Sequence, residues 1–364
     1  MSPLTPCRLD VPDAALHDLR RRLDEIRWPE PLACDGPDRG VPQDLLRRVV
    51  EHWRTRFDWR AVEAAFNAVP QFRMTISGTP IHVRHHRSPH ESATPLLLTH
   101  GWPGAVTEFD RLVPMLTDPT AWGGRVEDAF HVVVPSLPGF GMSTPLREPG
   151  WDVPRIATAW KILMAALGYS GYIAQGGDAG SPISTVLGML DEANVRGVHL
   201  NMAMTFPGPD DDVASYAAAD QERLARTRDF LDRRGAYMQL MATSPQTLTY
   251  ALTDSPVGLL AWVLERFQEW CDPRSLAEGR VTWDDVLTIV SIYWFTDSVG
   301  SSANFYHEGA PAVRAAMSGE PAPPCPVPAA VSVFAHDTFL PARPLAERAL
   351  PDLVQWREHE RGGH

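Results

Sequence analysis

The stretch that decides the fold is "GYIAQGGDAGSPI", residues 171–183. A short apolar run there ends in glycines that bracket one acidic residue, in the frame Gly176-x-Asp178-x-Gly180. The frame is typical of a nucleophile elbow, a tight strand-to-helix turn that needs small neighbours and presents a side chain at the carboxyl edge of a sheet. Because a serine usually occupies this position, Asp178 predicts a carboxylate nucleophile. The alternative is an aspartate that only caps the next helix.

Apolar runs on both sides of this frame predict buried parallel strands. "PLLLTH" (95–100) and "FHVVVPSLPGFG" (130–141) precede it, and a strand near 198–202 follows it. Helical patterns separate these runs, and the β-α-β-α-β alternation predicts an α/β protein with a mostly parallel, doubly wound sheet. An alternating segment around Ser77 and Gly78 predicts a hairpin before them.

Helical segments predict two additions to this sheet. Residues 1–70 form helices before any core strand, which indicates an N-terminal arm packing on the core and the cap, and residues 71–204 hold the first part of the core. Helical patterns dominate residues 205–306, which predicts a helical cap inserted into the sheet. Residues 307–364 return to strands and complete the core, after a proline-rich connector at 319–330.

Composition excludes several classes of protein. The 364 residues can bury a large core, and the net charge of −12 argues against nucleic acid or an anionic membrane as partner. The scattered cysteines Cys7, Cys34, Cys271 and Cys325 predict neither a disulfide framework nor a zinc site, which favours a reducing compartment. No signal peptide or membrane span is visible, so we expect a cytoplasmic protein, and a homodimer stays open.

The motif "HGWPG", residues 100–104, follows a predicted strand. Such a loop supplies one backbone N–H of an oxyanion hole, and the residue after the nucleophile supplies the other. The sequence therefore predicts Trp102 and Ala179 as donors, with Trp102 and Pro103 also contacting the substrate. The alternative is a glycine- and proline-rich turn around a buried tryptophan.

The chain ends in "WREHERGGH", which places His364 in the order nucleophile, acid, histidine. We expect His364 to be the general base, since glycines before it allow a sharp loop; a disordered tail or a tag remnant is the alternative. The orienting acid should follow a late strand, and "VSVFAHDTF" places Asp337 there. Glu347 and Asp352 are the other candidates.

Tyrosines near the two ends of the helical insertion could act on a substrate oxygen. Tyr237 and Tyr306 are the predicted proton donors, because two phenols above a carboxylate could hydrogen-bond and protonate that oxygen. The alternative for each is a core or interface aromatic. The competing tyrosines are Tyr216, Tyr250 and Tyr293.

A histidine cluster, "IHVRHHRSPH" at 81–90, is the conspicuous candidate for a metal site. His82 and His86 share a strand face, but no carboxylate lies nearby with metal-ligand spacing. We therefore predict a solvated hairpin, and neither a metal nor a cofactor.

These elements together resemble the microsomal-type epoxide hydrolase family of the α/β-hydrolase superfamily. The match covers nearly the whole chain and includes "DVPDAALHDLRRRLDEIRWPE", "HGWPG", "VVVPSLPGFGMS", "GGDAGS", "TSPQTLTYALTDSPVGLLAW" and "RGGH". The resemblance implies an α/β-hydrolase fold and the hydrolysis of a small-molecule epoxide by water to a vicinal diol, through an aspartyl ester. It implies Asp178 as nucleophile, His364 as base and Asp337 as orienting acid. It also implies Tyr237 and Tyr306 as ring-opening donors, and Trp102 and Ala179 as oxyanion donors.

The sequence departs from the family pattern at three points. Ala179 replaces the usual tryptophan, so we expect a wider pocket beside Asp178. Asp337 replaces the commoner glutamate, so its loop must approach His364 more closely. The family continues beyond "RGGH", so we expect the natural chain to extend past His364.

An epoxide explains why a carboxylate would replace serine. A carboxylate is already ionised at neutral pH, so its attack on a saturated carbon needs no base. The product is an ester that water can cleave at its acyl carbon, whereas a serine would give an ether. Haloalkane dehalogenation uses the same kind of nucleophile and is one alternative function; a catalytically silent binding protein is the other.

The apolar cap favours a bulky or aryl epoxide as substrate. The composition resembles that of actinobacterial members of the family, some of which act in antibiotic biosynthesis. Detoxification is the alternative role.

Overall fold

The computed structural model describes residues 2–30, 36–320 and 322–364. Cys34 lies outside the described residues, as does position 321 of the expected connector.

The described strands form one mixed sheet. Its strands are β1 Thr5–Pro6, β2 Gln71–Ile76, β3 Thr79–His86, β4 Thr94–Thr99, β5 Phe130–Pro135, β6 Tyr172–Gly176, β7 Val195–Asn201, β8 Ala329–His336 and β9 Leu353–Gly363. They lie in the order β1-β2-β3-β5-β4-β6-β7-β8-β9. The pairs β1–β2, β2–β3 and β3–β5 are antiparallel, and all the later pairs in this order, from β5–β4 to β8–β9, are parallel. Central side chains such as Leu97 and Val133 are fully buried, as continuous apolar runs require. The predicted mostly parallel sheet is confirmed.

The hairpin around Ser77 and Gly78 is confirmed, but the prediction that its histidines are solvated was wrong. Strand β3 pairs with β2 on one side and β5 on the other, so it is an interior strand. His82 is fully buried, with its ring nitrogens 2.8 Å from Ser136 Oγ and 2.8 Å from Gln71 Oε1. The sequence showed the alternation of β3 but not its second neighbour.

A helical insertion separates β7 from β8. Its helices are α7 Ala218–Arg234, α8 Ala236–Thr243, α9 Pro245–Asp254, α10 Pro256–Trp270, α11 Pro273–Ala277, α12 Trp283–Phe295 and α13 Val299–Met317. The predicted cap boundary at 306 falls inside α13, which ends at Met317; Gly319, with φ of +75°, then opens the proline-rich segment. The division into domains otherwise stays a prediction.

The remaining helices belong to the core and to the N-terminal arm. The core helices are α4 Val113–Thr117, α5 Val153–Ala166, α6 Gly180–Leu190 and α14 Arg343–Ala349. The arm contains α1 Asp13–Asp24, α2 Gln43–Thr55 and α3 Trp59–Asn67. Helix α1 packs on α10, whereas α2 and α3 pack on α12, so the arm braces the helices that cover the sheet. None of the described helices combines the length and apolar character needed to cross a bilayer.

Candidate active site

Asp178 occupies the turn between β6 and α6. Its φ of +47° lies in the left-handed region, which is uncommon for a residue with a side chain. A Cβ added to Gly176 would lie 2.0 Å from the Gly180 carbonyl oxygen, and one added to Gly180 would lie 2.1 Å from the Thr99 carbonyl oxygen. The strand and helix can therefore approach this closely only with glycine at both positions, and the turn has the geometry that the sequence predicted.

The loop after β4 holds one oxygen of this carboxylate. The Trp102 backbone N–H donates a 2.7 Å hydrogen bond to Asp178 Oδ1. Gly101 must be small, because a Cβ there would lie 2.1 Å from the same oxygen. Ala179 is the N-cap of α6, so its N–H is among the amides that the helix itself leaves unpaired. Its side chain lies in the hydrophobic core and is not among the residues that line the cavity, and the expected widening of the pocket beside Asp178 stays a prediction.

His100 fixes the start of this loop. Its Nδ1 lies 2.9 Å from its neighbour's carbonyl, that of Gly101, and its Nε2 accepts the Leu137 N–H at 3.1 Å. Burial lowers the pKa of His100 to about 4, so the ring is neutral and can bridge the two loops.

The register of β8 and β9 brings the predicted base and acid together. His336 pairs with Gly363, so the next residues, Asp337 and His364, leave the parallel strands side by side. His364 Nδ1 lies 3.1 Å from Asp337 Oδ1, and His364 Nε2 lies 3.7 Å from Asp178 Oδ2. The shorter aspartate thus reaches the imidazole.

Trp270 ties His364 into the structure. The His364 N–H donates to the Trp270 carbonyl at 2.9 Å, and the two rings meet edge to face with centroids 5.0 Å apart. The other candidate acids lie elsewhere: Glu347 accepts from Arg343 at 2.8 Å, and Asp352 is exposed.

The charges around His364 raise its pKa to about 9. Burial, the largest single influence, lowers the pKa, but the hydrogen bond and charge of Asp337 and the charges of Asp178 and Glu108 together outweigh it. The imidazole is therefore protonated at neutral pH.

The two predicted tyrosines pack against the Trp102 indole. Tyr237 stacks on it with ring centroids 5.6 Å apart, and Tyr306 meets it edge to face at 5.6 Å. Burial first, and the charge of Asp178 among the further causes, raise the pKa of both phenols well above 10. Both therefore stay protonated across the physiological range and can donate.

The competing tyrosines are placed differently. The hydroxyl of Tyr216 donates to Asp211 Oδ1 at 2.9 Å, and Tyr250 is exposed on the surface. Tyr293 is buried and donates to the Gly104 carbonyl at 2.9 Å, so it anchors the loop.

A cavity of about 530 Å³ opens over the elbow. Its walls include Trp102, Pro103, Glu108, Asp178, Trp270 and His364. The predicted substrate contacts Trp102 and Pro103 thus both face this space. Among the described residues, no three metal-ligating side chains converge.

Comparisons with known proteins identify relatives of this chain. Residues 4–109 match the family profile described as epoxide hydrolase N terminus, and residues 94–249 match the alpha/beta hydrolase fold. A Stigmatella aurantiaca protein named "Putative epoxide hydrolase" is 45% identical over 363 residues, which cover 99% of this chain and 80% of that protein. Epoxide hydrolase 1 of Sus scrofa is 33% identical over 384 residues, with 99% and 84% covered.

The chain belongs to the epoxide hydrolase family. The solved structure of the Aspergillus niger epoxide hydrolase superposes with a TM-score of 0.86 at 32% identity, covering 100% of this chain and 93% of that one. The resemblance proposed from the sequence and the α/β-hydrolase fold are both confirmed.

Within this epoxide hydrolase fold, the structure adds two ionisable residues that the sequence analysis missed. Glu108 lies in the cavity wall, and Arg266 on α10 places its guanidinium 4.6 Å from the centroid of the Tyr237 ring. The one available signal for Glu108 was its position four residues after the "HGWPG" motif. Nothing local in α10 marks Arg266, because its contact with Tyr237 depends on how the helices pack.

Proposed function

We propose that the protein hydrolyses an epoxide to a vicinal diol through a covalent ester of Asp178. The observation that carries the proposal is that the two oxygens of this carboxylate have different partners. Oδ1 is held by the Trp102 N–H, whereas Oδ2 faces His364 Nε2 at 3.7 Å in the wall of the cavity. One oxygen is thus fixed for oxyanion stabilisation and the other is free to attack.

In the first step, Asp178 Oδ2 attacks a ring carbon and the carbon–oxygen bond of the epoxide breaks. The alkoxide takes a proton from Tyr237 or Tyr306, which leaves a tyrosinate and a hydroxyalkyl ester. Because the pKa of each phenol is raised well above 10, the tyrosinate is a strong base and is reprotonated. The imidazolium of His364 supplies that proton and becomes neutral.

In the second step, neutral His364 deprotonates a water that attacks the Asp178 acyl carbon. The negative charge develops on Oδ1, where the Trp102 N–H already lies at 2.7 Å, with the Ala179 N–H as the second proposed donor. Collapse breaks the ester bond, and the departing diol oxygen takes the proton from His364. The acid left on Asp178 returns its proton to the imidazole, which restores the starting state.

The cavity favours a bulky apolar substrate. Phe109, Phe267 and Trp270 contribute aromatic surface to its wall, and about 530 Å³ accommodates an aryl epoxide. The cytoplasmic location, the homodimer, and roles in antibiotic biosynthesis or detoxification stay predictions from the sequence.

A single turnover in H₂¹⁸O tests the mechanism. We expect label in the Asp178 side chain, no ester in Asp178→Asn, and an ester that accumulates in His364→Gln and is detected by mass spectrometry. Ring opening at the wild-type rate in Asp178→Asn would falsify the assignment of the nucleophile. A parallel chloride-release assay distinguishes epoxide hydrolysis from haloalkane dehalogenation, for which the side chain of Ala179 offers no indole donor. Absence of turnover in both assays would favour the catalytically silent binding protein.

A further inference from the structure

Glu108 brings a second carboxyl group to the catalytic cavity. It lies in the 3₁₀ helix Val106–Phe109, directly after the "HGWPG" loop. Its side chain folds back over Gly104, since a Cβ added there would lie 2.4 Å from Glu108 Oε1 and 2.7 Å from Oε2. Tyr293 holds the Gly104 carbonyl at 2.9 Å, so the backbone beneath the carboxyl is fixed. The absence of a side chain at Gly104 is what makes room for this carboxyl.

The position of Glu108 couples it to both partners of the hydrolytic step. Glu108 is an exposed residue that lines the cavity, and the surrounding protein desolvates its carboxyl group. Burial raises the pKa of Glu108 to about 8; the charge of His364 lowers it and that of Asp178 raises it. None of the hydrogen bonds found among the described residues uses this side chain, so its oxygens are available to a water.

We propose that Glu108 positions the hydrolytic water between His364 and the ester of Asp178. One water hydrogen is donated to a Glu108 carboxyl oxygen and the other to His364 Nε2, which leaves a lone pair of the water directed at the acyl carbon. His364 takes the proton as the new carbon–oxygen bond forms, and Glu108 keeps its hydrogen bond without a net gain or loss of protons. Glu108 is thus a positioning residue for the second step.

Ester formation changes both charges that act on Glu108. It removes the negative charge of Asp178, which raises the pKa of Glu108, and the neutral His364 of the ester no longer lowers that pKa. A carboxyl oxygen of Glu108 accepts a hydrogen bond from water in either protonation state. The inference rests on the proposed ester mechanism, and it assigns to Glu108 a part in hydrolysis but not in ring opening.

Glu108→Gln tests this assignment, because it preserves shape and replaces one carboxyl oxygen by an amide NH₂ group, which cannot accept a hydrogen bond from water. We expect ester formation, followed by rapid quench and mass spectrometry, to stay within about twofold of the wild type, whereas ester hydrolysis slows by roughly 10-fold or more. In the steady state, kcat and KM of Glu108→Gln should both fall while kcat/KM is retained. Glu108→Asp, which keeps a carboxyl group, should recover part of the rate of ester hydrolysis. Glu127→Gln is the matched control, since Glu127 is an exposed residue of another short 3₁₀ helix, Val126–Asp128.

The outcomes separate this inference from the function on which it rests. Wild-type ester hydrolysis in Glu108→Gln, or an equal loss in both steps, overturns the positioning role while leaving the ester mechanism intact. If no ester forms in the wild type or in His364→Gln, the proposed function itself fails.

Discussion

Replacing Asp178 by Asn reproduces the charge change that ester formation would bring about. Both an amide and an ester are neutral acyl groups of similar shape, so Asp178→Asn removes the negative charge beside His364 and leaves Asp337 in place. Because the charge of Asp178 contributes to the raised pKa of His364, we expect that pKa to fall from its value of about 9.

The size of the fall follows from the distance between the two groups. His364 Nε2 and Asp178 Oδ2 are 3.7 Å apart. Unit charges at that distance interact by about 1 kcal/mol in water and by about 4 kcal/mol at an effective dielectric constant near 20. At 1.36 kcal/mol for each pKa unit, the pKa should drop by about 1 to 3. The same substitution makes Glu108 easier to ionise, which replaces part of the lost charge and favours the lower half of that range.

The assay is an NMR titration of protein labelled with ¹⁵N-histidine, between pH 5 and pH 10. His364→Gln assigns the signal, mass spectrometry verifies that the new amide has not hydrolysed back to Asp, and Glu347→Gln, at the exposed acid paired with Arg343, serves as control. A pKa of His364 that is unchanged or raised in Asp178→Asn would refute the idea that alkylation converts the imidazolium into a base.

Three further predictions concern the same residues. Tyr237→Phe and Tyr306→Phe should each slow ester formation by roughly 10- to 100-fold but leave hydrolysis of a formed ester unchanged in stopped-flow assays; loss of hydrolysis alone would contradict the donor role. Asp337→Asn should slow ester hydrolysis by about 100-fold or more, so that ester accumulates in quenched samples, whereas undiminished hydrolysis would show that another group orients the base. The folded pKa of His364, about 9, exceeds its unfolded value of 6.5, so protonation of this histidine stabilises the fold by about 3 kcal/mol. This contribution is complete below pH 6.5 and is lost as the pH rises through 9. Urea unfolding should show the loss in the wild type and not in His364→Gln.

The elbow and the order of the motifs could be predicted because they are local. The Gly176-x-Asp178-x-Gly180 frame must form a tight turn, and the observed contacts at both glycines leave no space for a Cβ. The pairing of Asp337 with His364 was also accessible, since both follow strands, and parallel neighbours end at the same edge of a sheet.

Features that depend on packing between distant segments could not be predicted in this way. The burial of His82 follows from the pairing of β3 with β5, about 50 residues later, which alternation along β3 does not reveal. The position of Glu108 depends on the path of the chain over Gly104, and the contact of Arg266 with Tyr237 depends on helix packing. Residues that tune the site therefore become visible only when the fold is known.

The arrangement of charge also orders the two steps of the proposed reaction. Before substrate binds, protonated His364 lies beside the Asp178 anion and cannot activate water. Esterification removes that anion, and the raised pKa of His364 loses one of its causes while Asp337 still orients the ring. Water is thus activated only when there is an ester to cleave. A serine at position 178 would be neutral before and after it reacts, so its reaction would not change the pKa of the imidazole. The carboxylate therefore acts both as the nucleophile and as the charge that controls the hydrolysis of its own ester.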